Sequence, residues 1–342
     1  MLDMLKNKKW MILLVFAILA MAAFAVVYTG MFDNVRNTAA RFFSKPIHSV
    51  DDVKNAAGIV EMELITPSNS AILDTAVRQL NQSIADGKAE WPSFTDDAIC
   101  YEIKYKSGNY TVQGFLCLPD DYLDKEYPVL IYNRGGSNSN SYARGQIRVD
   151  EQYSYARMGF IVLATQHRGW GEGSGKDELG GGDVQDVIAL VDLAEKFTFS
   201  NGKLYMFGWS RGAMETYLVL SRDHRITAAV AGAGPTDISK AYDEGNDFTK
   251  VMTIETVGGT PEQLPEEYKK RSALFLADKI NTPLLIAQGT DDSVVPMYHS
   301  VDLYDKMKAL GKDVELKLYE GEDHNTAYGN NMKSYLLWLL EH

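Results

Sequence analysis

The chain has 342 residues, of which 45% are hydrophobic and 23% charged, a balance that suits a globular protein with length enough for one large α/β core. Its 46 acidic residues against 34 basic ones give a formal charge of -12, which argues against a nucleic-acid partner because phosphate binding needs a basic face. No Cys/His cluster has metal-ligand spacing and no nucleotide-binding glycine motif is present, so neither a metal nor a cofactor is expected.

Lys6, Lys8 and Lys9 precede an uncharged run from Trp10 to Tyr28. At about 1.5 Å per residue that run nearly spans a hydrocarbon core of about 30 Å. The lysines are expected to stay cytoplasmic, with everything after Tyr28 outside. Ala20-Met21-Ala22 and Ala23-Phe24-Ala25 also fit small-x-small cleavage sites, so secretion after signal cleavage is the alternative. Because the apolar run continues past both sites, residues 1–30 are read first as a membrane anchor. Residues 31–98 follow as a stalk carrying Arg36, Arg41 and Lys45, then an accessory helix. Ile72, Leu73, Ala76, Val77, Leu80 and Ile84 mark one face of that helix, with a cap near Ser70 and a stop at Gly87. It either packs on the main domain or gates the active site.

The domain that carries the chemistry is expected over 99–342. Cys100 to Lys106 and Tyr110 to Leu118 alternate around Gly108-Asn109 and predict an antiparallel hairpin. A two-residue turn pairs Tyr101 with Leu116, Ile103 with Gly114 and Tyr105 with Val112 on one apolar side. The same register sets Cys100 opposite Cys117 on the other side, within disulfide range, and leaves a bridge or two thiols open. Tyr127 to Tyr132 is a third strand that runs into Asn133-Arg134-Gly135-Gly136, a turn whose backbone N–H groups can face a ligand. Gly159 to Thr165 is a fourth strand, Gly169 to Gly182 a long surface loop, and Asp183 to Lys196 a helix. Further on, strands are expected at Ile226 to Ala231, Pro283 to Ala287 and Val314 to Tyr319, and helices at Tyr298 to Leu310 and Thr326 to Leu340. Between them lies an acidic and aromatic insert from Thr236 to Leu276. Strands alternating with helices predict an α/β fold with a mainly parallel sheet covered on both faces and the hairpin as its antiparallel edge.

Leu204 to Met214 is the centre of this pattern. A short apolar run leads into Gly208-Trp209-Ser210-Arg211-Gly212 and then a helical stretch, which sets Ser210 at the apex of a strand–turn–helix. A serine hydroxyl needs a base within hydrogen-bond reach and a third group to orient that base. Of the six histidines, His324 stands in the loop between the last strand and the last helix, at the sheet edge that faces Ser210. The loop after the preceding strand, Gln288 to Pro296, supplies the acid as Asp291 or Asp292. Ser, Asp, His is the chain order of the α/β-hydrolase fold, which also assigns the backbone N–H of Arg211 to the oxyanion hole.

From Tyr101 to Leu340 the sequence resembles the catalytic domain of the prolyl oligopeptidase family of serine peptidases. The resemblance rests on G-W-S-x-G at Ser210, on G-x-x-D-x-x-V-P from Gly289 to Pro296, and on G-x-x-H from Gly321 to His324. Arg271-Ser272-Ala273-Leu274 and Ala277-Asp278-Lys279-Ile280 also look like the family's segment before the acid-bearing strand. The resemblance implies Asp292 as the catalytic acid, Gly135-Gly136 as the second oxyanion donor, and peptide bonds as substrate. The chain departs from many relatives in having Asn133-Arg134 where they carry a histidine, and Ala213 where a glycine is usual. For Arg134 and Arg168, structural bridging is weighed above substrate contact. Residues 29–98 hold no repeat of the β-propeller that larger members carry, so their substrate preference is not transferred.

The expected function is therefore an exported serine hydrolase acting on a peptide or small ester through Ser210, Asp292 and His324. An esterase with the same triad is the alternative. A non-catalytic surface binding protein would show a damaged triad, and this one is intact. Tyr242, Phe248, Val251 and Met252 are candidates for an apolar substrate pocket, while Asp237, Asp243, Glu244 and Asp247 would repel acidic substrates. The sequence leaves the oligomeric state open.

Overall fold

The computed structural model describes residues 45–68, 70–88, 91–136 and 149–342. The proposed anchor over Trp10 to Tyr28, with Arg36 and Arg41, lies outside the described residues. In chain order the elements are α1 (Val50–Lys54), β1 (Ile59–Ile65), α2 (Ala71–Ala85), β2 (Ala98–Ser107), β3 (Tyr110–Pro119), β4 (Tyr127–Asn133), α3 (Val149–Arg157) and β5 (Ile161–Thr165). There follow α4 (Val184–Ala194), β6 (Ser200–Trp209), α5 (Arg211–Leu220), β7 (Ala228–Gly232), α6 (Ile238–Glu244), α7 (Asp247–Val257) and α8 (Pro265–Lys270). Last come β8 (Leu284–Gly289), α9 (Tyr298–Ala309), β9 (Val314–Tyr319) and α10 (His324–Glu341).

All nine strands form one sheet in the order β1-β2-β3-β5-β4-β6-β7-β8-β9. From β5 to β9 every neighbouring pair is parallel, and the three pairs at the other end are antiparallel. This is the mainly parallel α/β sheet expected from the alternation of strands and helices, with the antiparallel hairpin toward one edge. The order reverses at β4, which has β5 on one side and β6 on the other. Such a switch point leaves a crevice at the C-terminal ends of the strands, where α/β proteins bind ligands.

Alternate residues of each central strand enter opposite cores, as a period of two dictates. Val129 and Ile131 of β4 with Leu204 and Met206 of β6 join one core, built with α4, α5 and α9. Leu130 and Tyr132 with Tyr205, Phe207 and Trp209 join the other, built with α2, α3 and α10. Both faces being covered, these strands read as continuous apolar runs.

The hairpin keeps its predicted register: Tyr101 pairs with Leu116, Ile103 with Gly114, Tyr105 with Val112 and Cys100 with Cys117. Cys100 and Cys117 form a disulfide across it, with their Cα atoms 4.1 Å apart. Ser70 caps α2 by accepting from the Leu73 N–H, and Leu73 and Ala76 bury against the α3 side of the sheet. Arg157 of α3 donates to Asn81 Oδ1 at 2.9 Å. Of the two readings of this helix, packing on the domain is therefore the one observed.

Three features differ from expectation. Residues 59–65, expected within the accessory segment, form β1 and pair antiparallel with β2, so the sheet begins well before residue 99. The crossover helix α3 was not foreseen, because it buries through tyrosines and Arg157 and carries few aliphatic residues. The loop from Gly169 to Gly182 is not simply a surface loop. Its middle is exposed, but Trp170 is buried and Arg271, from beyond α8, donates to the Glu178 carbonyl at 3.1 Å, tying the loop to the insert.

Candidate active site

β6 ends at Trp209 and α5 begins at Arg211, so Ser210 occupies the single residue between them. Its φ of 58° and ψ of -124° are costly for a residue with a side chain, and strain of this kind concentrates at functional sites. The Ser210 N–H holds the turn by donating to the Gly232 carbonyl at 2.8 Å. The flanking glycines are required by close approach, since a Cβ on Gly208 would meet the Gly212 carbonyl at 2.1 Å. One on Gly212 would meet the Asn133 carbonyl at 2.0 Å.

His324 opens α10, whose N-cap Asp323 forms a capping box with Thr326. The Trp209 indole N–H donates to the His324 carbonyl at 3.0 Å, which ties the histidine to the serine turn. His324 Nδ1 lies 2.7 Å from Asp292 Oδ2. An ionised carboxylate can only accept, so Nδ1 donates and the neutral imidazole keeps Nε2 free of its proton, as a base requires.

Asp292 is itself firmly held. Its Oδ1 accepts from the N–H groups of Val294 and Val295 at 2.8 and 2.9 Å, and Oδ2 accepts from Gln288 Nε2 at 2.9 Å. Burial acts to raise the Asp292 pKa. The hydrogen bonds from His324, Val295 and Val294 outweigh it, leaving the carboxyl below its ordinary value. Asp291, by contrast, is exposed, and its Oδ1 accepts from Thr290 Oγ1 at 3.4 Å.

At the helix start, the backbone N–H of Arg211 has no intrahelical acceptor. Gly135 lies against the same turn, where a Cβ would come within 3.1 Å of the Trp209 carbonyl. The Arg211 side chain points inward and is 5% exposed. It grips Asp177 through two hydrogen bonds of 2.6 and 2.7 Å and reaches Asp183 at 3.1 Å. Burial acts to raise the Asp177 pKa, but the charge and hydrogen bonds of Arg211 overcome it and hold the carboxyl well below its usual range. Arg134 donates to the Gln166 carbonyl at 2.9 Å and sits over the Trp170 ring, and Arg168 pairs with Asp186 at 2.8 Å. Both arginines are structural in this arrangement.

Ser210, His324, Arg211, Gly135 and Gly136 border one cavity of about 730 Å³. Tyr242 and Met252 line it too, as expected of the insert. Phe248 and Val251 do not: they are 63% and 53% exposed, a correction that follows from helical phase. In α7 the residues that face the cavity are Thr249, Met252, Thr253 and Thr256, one stripe at spacings of three and four, and Phe248 and Val251 fall on the opposite side. Glu151, Tyr132, Tyr328, Asp177 and His299 also line the cavity and were missed. Of these only Tyr328, one turn after His324, carried a local signal.

Residues 146–341 match the profile of the prolyl oligopeptidase family. An uncharacterized peptidase of Bacillus subtilis, YtmA, is 30% identical over 239 residues, covering 69% of this chain and 90% of that protein. The chain belongs to the prolyl oligopeptidase family. It is thus a serine peptidase by family, on an α/β-hydrolase fold. Human dipeptidyl peptidase 8 is 25% identical over 86% of this chain, and the chain spans only 33% of that protein's length. Among solved structures, the acylaminoacyl peptidase of Pyrococcus horikoshii superposes with a TM-score of 0.61 at 21% identity, covering 72% of this chain and 41% of that one. The Pyrococcus furiosus esterase Pf2001 superposes with a TM-score of 0.54 at 21% identity, over 74% of this chain and 98% of its own. These last two show likeness of fold.

Proposed function

We propose that this family member cleaves short peptides, with Ser210 as nucleophile, His324 as general base and acid, and Asp292 as the group that orients the imidazole and stabilises the imidazolium it becomes. Ser210 Oγ attacks the acyl carbon while its proton passes to His324 Nε2. The negative oxygen is received by the N–H of Arg211 and a second N–H from Gly135 or Gly136. His324 returns the proton to the leaving amine, an acyl-enzyme remains on Ser210, and water repeats the sequence to release the acid.

The observation that carries this reading is the 2.7 Å hydrogen bond from His324 Nδ1 to buried Asp292, with His324 bordering the same cavity as the strained Ser210. Fluorophosphonate labelling is the test: the native chain is expected to label and Ser210→Ala to fail. A peptide-amide panel then reads the substrate, with turnover expected where an apolar or prolyl residue precedes the scissile bond. Turnover of p-nitrophenyl esters with no amide cleaved would replace the peptidase by an esterase.

The reading extends to an exported, membrane-anchored enzyme, from the lysine-flanked run Trp10 to Tyr28. The Cys100–Cys117 disulfide supports it, because such bonds persist in oxidising compartments. Protease added to intact cells should remove the catalytic domain. Secreted protein with a new N-terminus at Ala23 or Val26 would overturn the anchor.

A further inference from the structure

The cavity wall built by α6 and α9 holds polar groups that the hydrolytic chemistry does not use. His299, in the first turn of α9, borders the cavity and is 1% exposed. The Thr236 N–H donates to its Nδ1 at 3.2 Å, so the neutral ring carries its proton on Nε2. That Nε2 has no hydrogen-bond partner among the described residues. Burial lowers the His299 pKa, so the ring stays neutral and does not cancel a neighbouring negative charge. A buried donor left unpaired is costly unless something visits it.

Glu244, the last residue of α6, faces this nitrogen. Its Oε2 lies 3.7 Å from His299 Nε2, too far for a hydrogen bond, and its Oε1 accepts from the Tyr298 hydroxyl, which fixes the carboxylate at the cavity. Among the described residues no lysine or arginine pairs with Glu244. Lys240, on the same helix, is taken up by Asp302 at 3.4 Å and by the Tyr298 ring. The side chain is 40% exposed, so it is open to a ligand and only partly hydrated.

We infer that Glu244, with the Nε2–H of His299 beside it, forms a cation subsite of the substrate cleft that takes an ammonium or guanidinium group of the substrate. His299 donates to an acceptor next to that charge, such as a peptide carbonyl. The subsite rests on the reading of Ser210 as nucleophile, because it shapes turnover through the cavity they share. The same ammonium chemistry comes from a lysyl side chain or from a free α-amine.

Two substrate pairs separate these sources: N-acetyl-lysyl against N-acetyl-norleucyl amides, and free-amine against N-acetyl norleucyl amides. The charged member of at least one pair is expected to have the higher kcat/KM by about tenfold or more, and which pair responds names the source. Glu244→Gln, which keeps the shape and the contact with Tyr298, should bring that ratio close to one, and Glu244→Lys should invert it. Asp243→Asn, on the adjoining recess, should change the ratio by less than about twofold, because solvent screens a charge that makes no contact. A flat ratio while neutral amides are hydrolysed overturns the subsite and leaves the hydrolase intact. A preference that survives Glu244→Gln, or falls equally with Asp243→Asn, also overturns it. Failure of both fluorophosphonate labelling and turnover removes the nucleophile and the subsite together.

Discussion

Two adjacent carboxylates, Asp291 and Asp292, have the same chemistry and opposite surroundings. Asp292 accepts four hydrogen bonds, one of them from His324, whereas Asp291 faces solvent. Ser210→Ala, Asp292→Asn and His324→Ala are each expected to lower kcat/KM by at least ~10³-fold with the fold retained by circular dichroism, because the three act as a unit. Asp291→Asn should stay within about threefold, as a solvated charge does. Asp292 also predicts an acid effect. Its folded pKa lies below the ordinary 3.8, so its contribution to stability is complete above that value and is lost as pH falls through the lowered one. The difference in denaturation midpoint between wild type and Asp292→Asn should therefore shrink below about pH 4. A difference that stays constant down to pH 2 would show that the carboxylate is not held in its charged form.

At the scale of elements, the β6–α5 turn and the β4 terminus form one contact. Gly212→Ala would drive a methyl into the Asn133 carbonyl, displacing α5 from β4 and disturbing both Ser210 and the Gly135 turn. A loss of about 1–3 kcal/mol is expected, with activity falling further than stability explains. Urea denaturation and kcat/KM on the same sample measure the two. The phase of α7 makes a second prediction. Met252→Ala should raise KM for apolar peptides several-fold, roughly the value of a lost apolar contact. Phe248→Ala and Val251→Ala, on the outer side, should leave it within about twofold. Equal effects from all three would mean that α7 turns on binding.

Across the whole molecule, the disulfide joins β2 and β3 next to the antiparallel end of the sheet, far along the strand order from β8 and β9 that bring Asp292 and His324. Cys100→Ser is expected to lower stability by at most about 3 kcal/mol, the value for a closed loop of this length. Its kcat/KM at a temperature where the fold persists should be unchanged. A thermal melt with and without reductant reads the first, and an ester assay the second. Inactivation without unfolding would instead link the hairpin to the catalytic end of the sheet.

Local spacing carried much of this protein. The hairpin register, the Ser210 turn and the order of the three catalytic candidates were legible because each follows from backbone geometry over a few residues, or from the one chain order that the fold allows. The cysteine pair was legible in the same way, though its oxidation was not, since opposition across two strands permits a bridge without requiring one. β1 escaped because only Met62 of that edge strand is buried, so its alternation is faint. Phe248 and Val251 were assigned to the pocket on composition, and the docking of α7 turned them outward. Glu151, Asp177, Glu244 and His299 come from four separate segments, and no pattern in any one of them shows that they meet. Which face of a helix is inward, and which distant side chains share a cavity, depends on how elements pack, and packing is decided by the whole apolar surface at once.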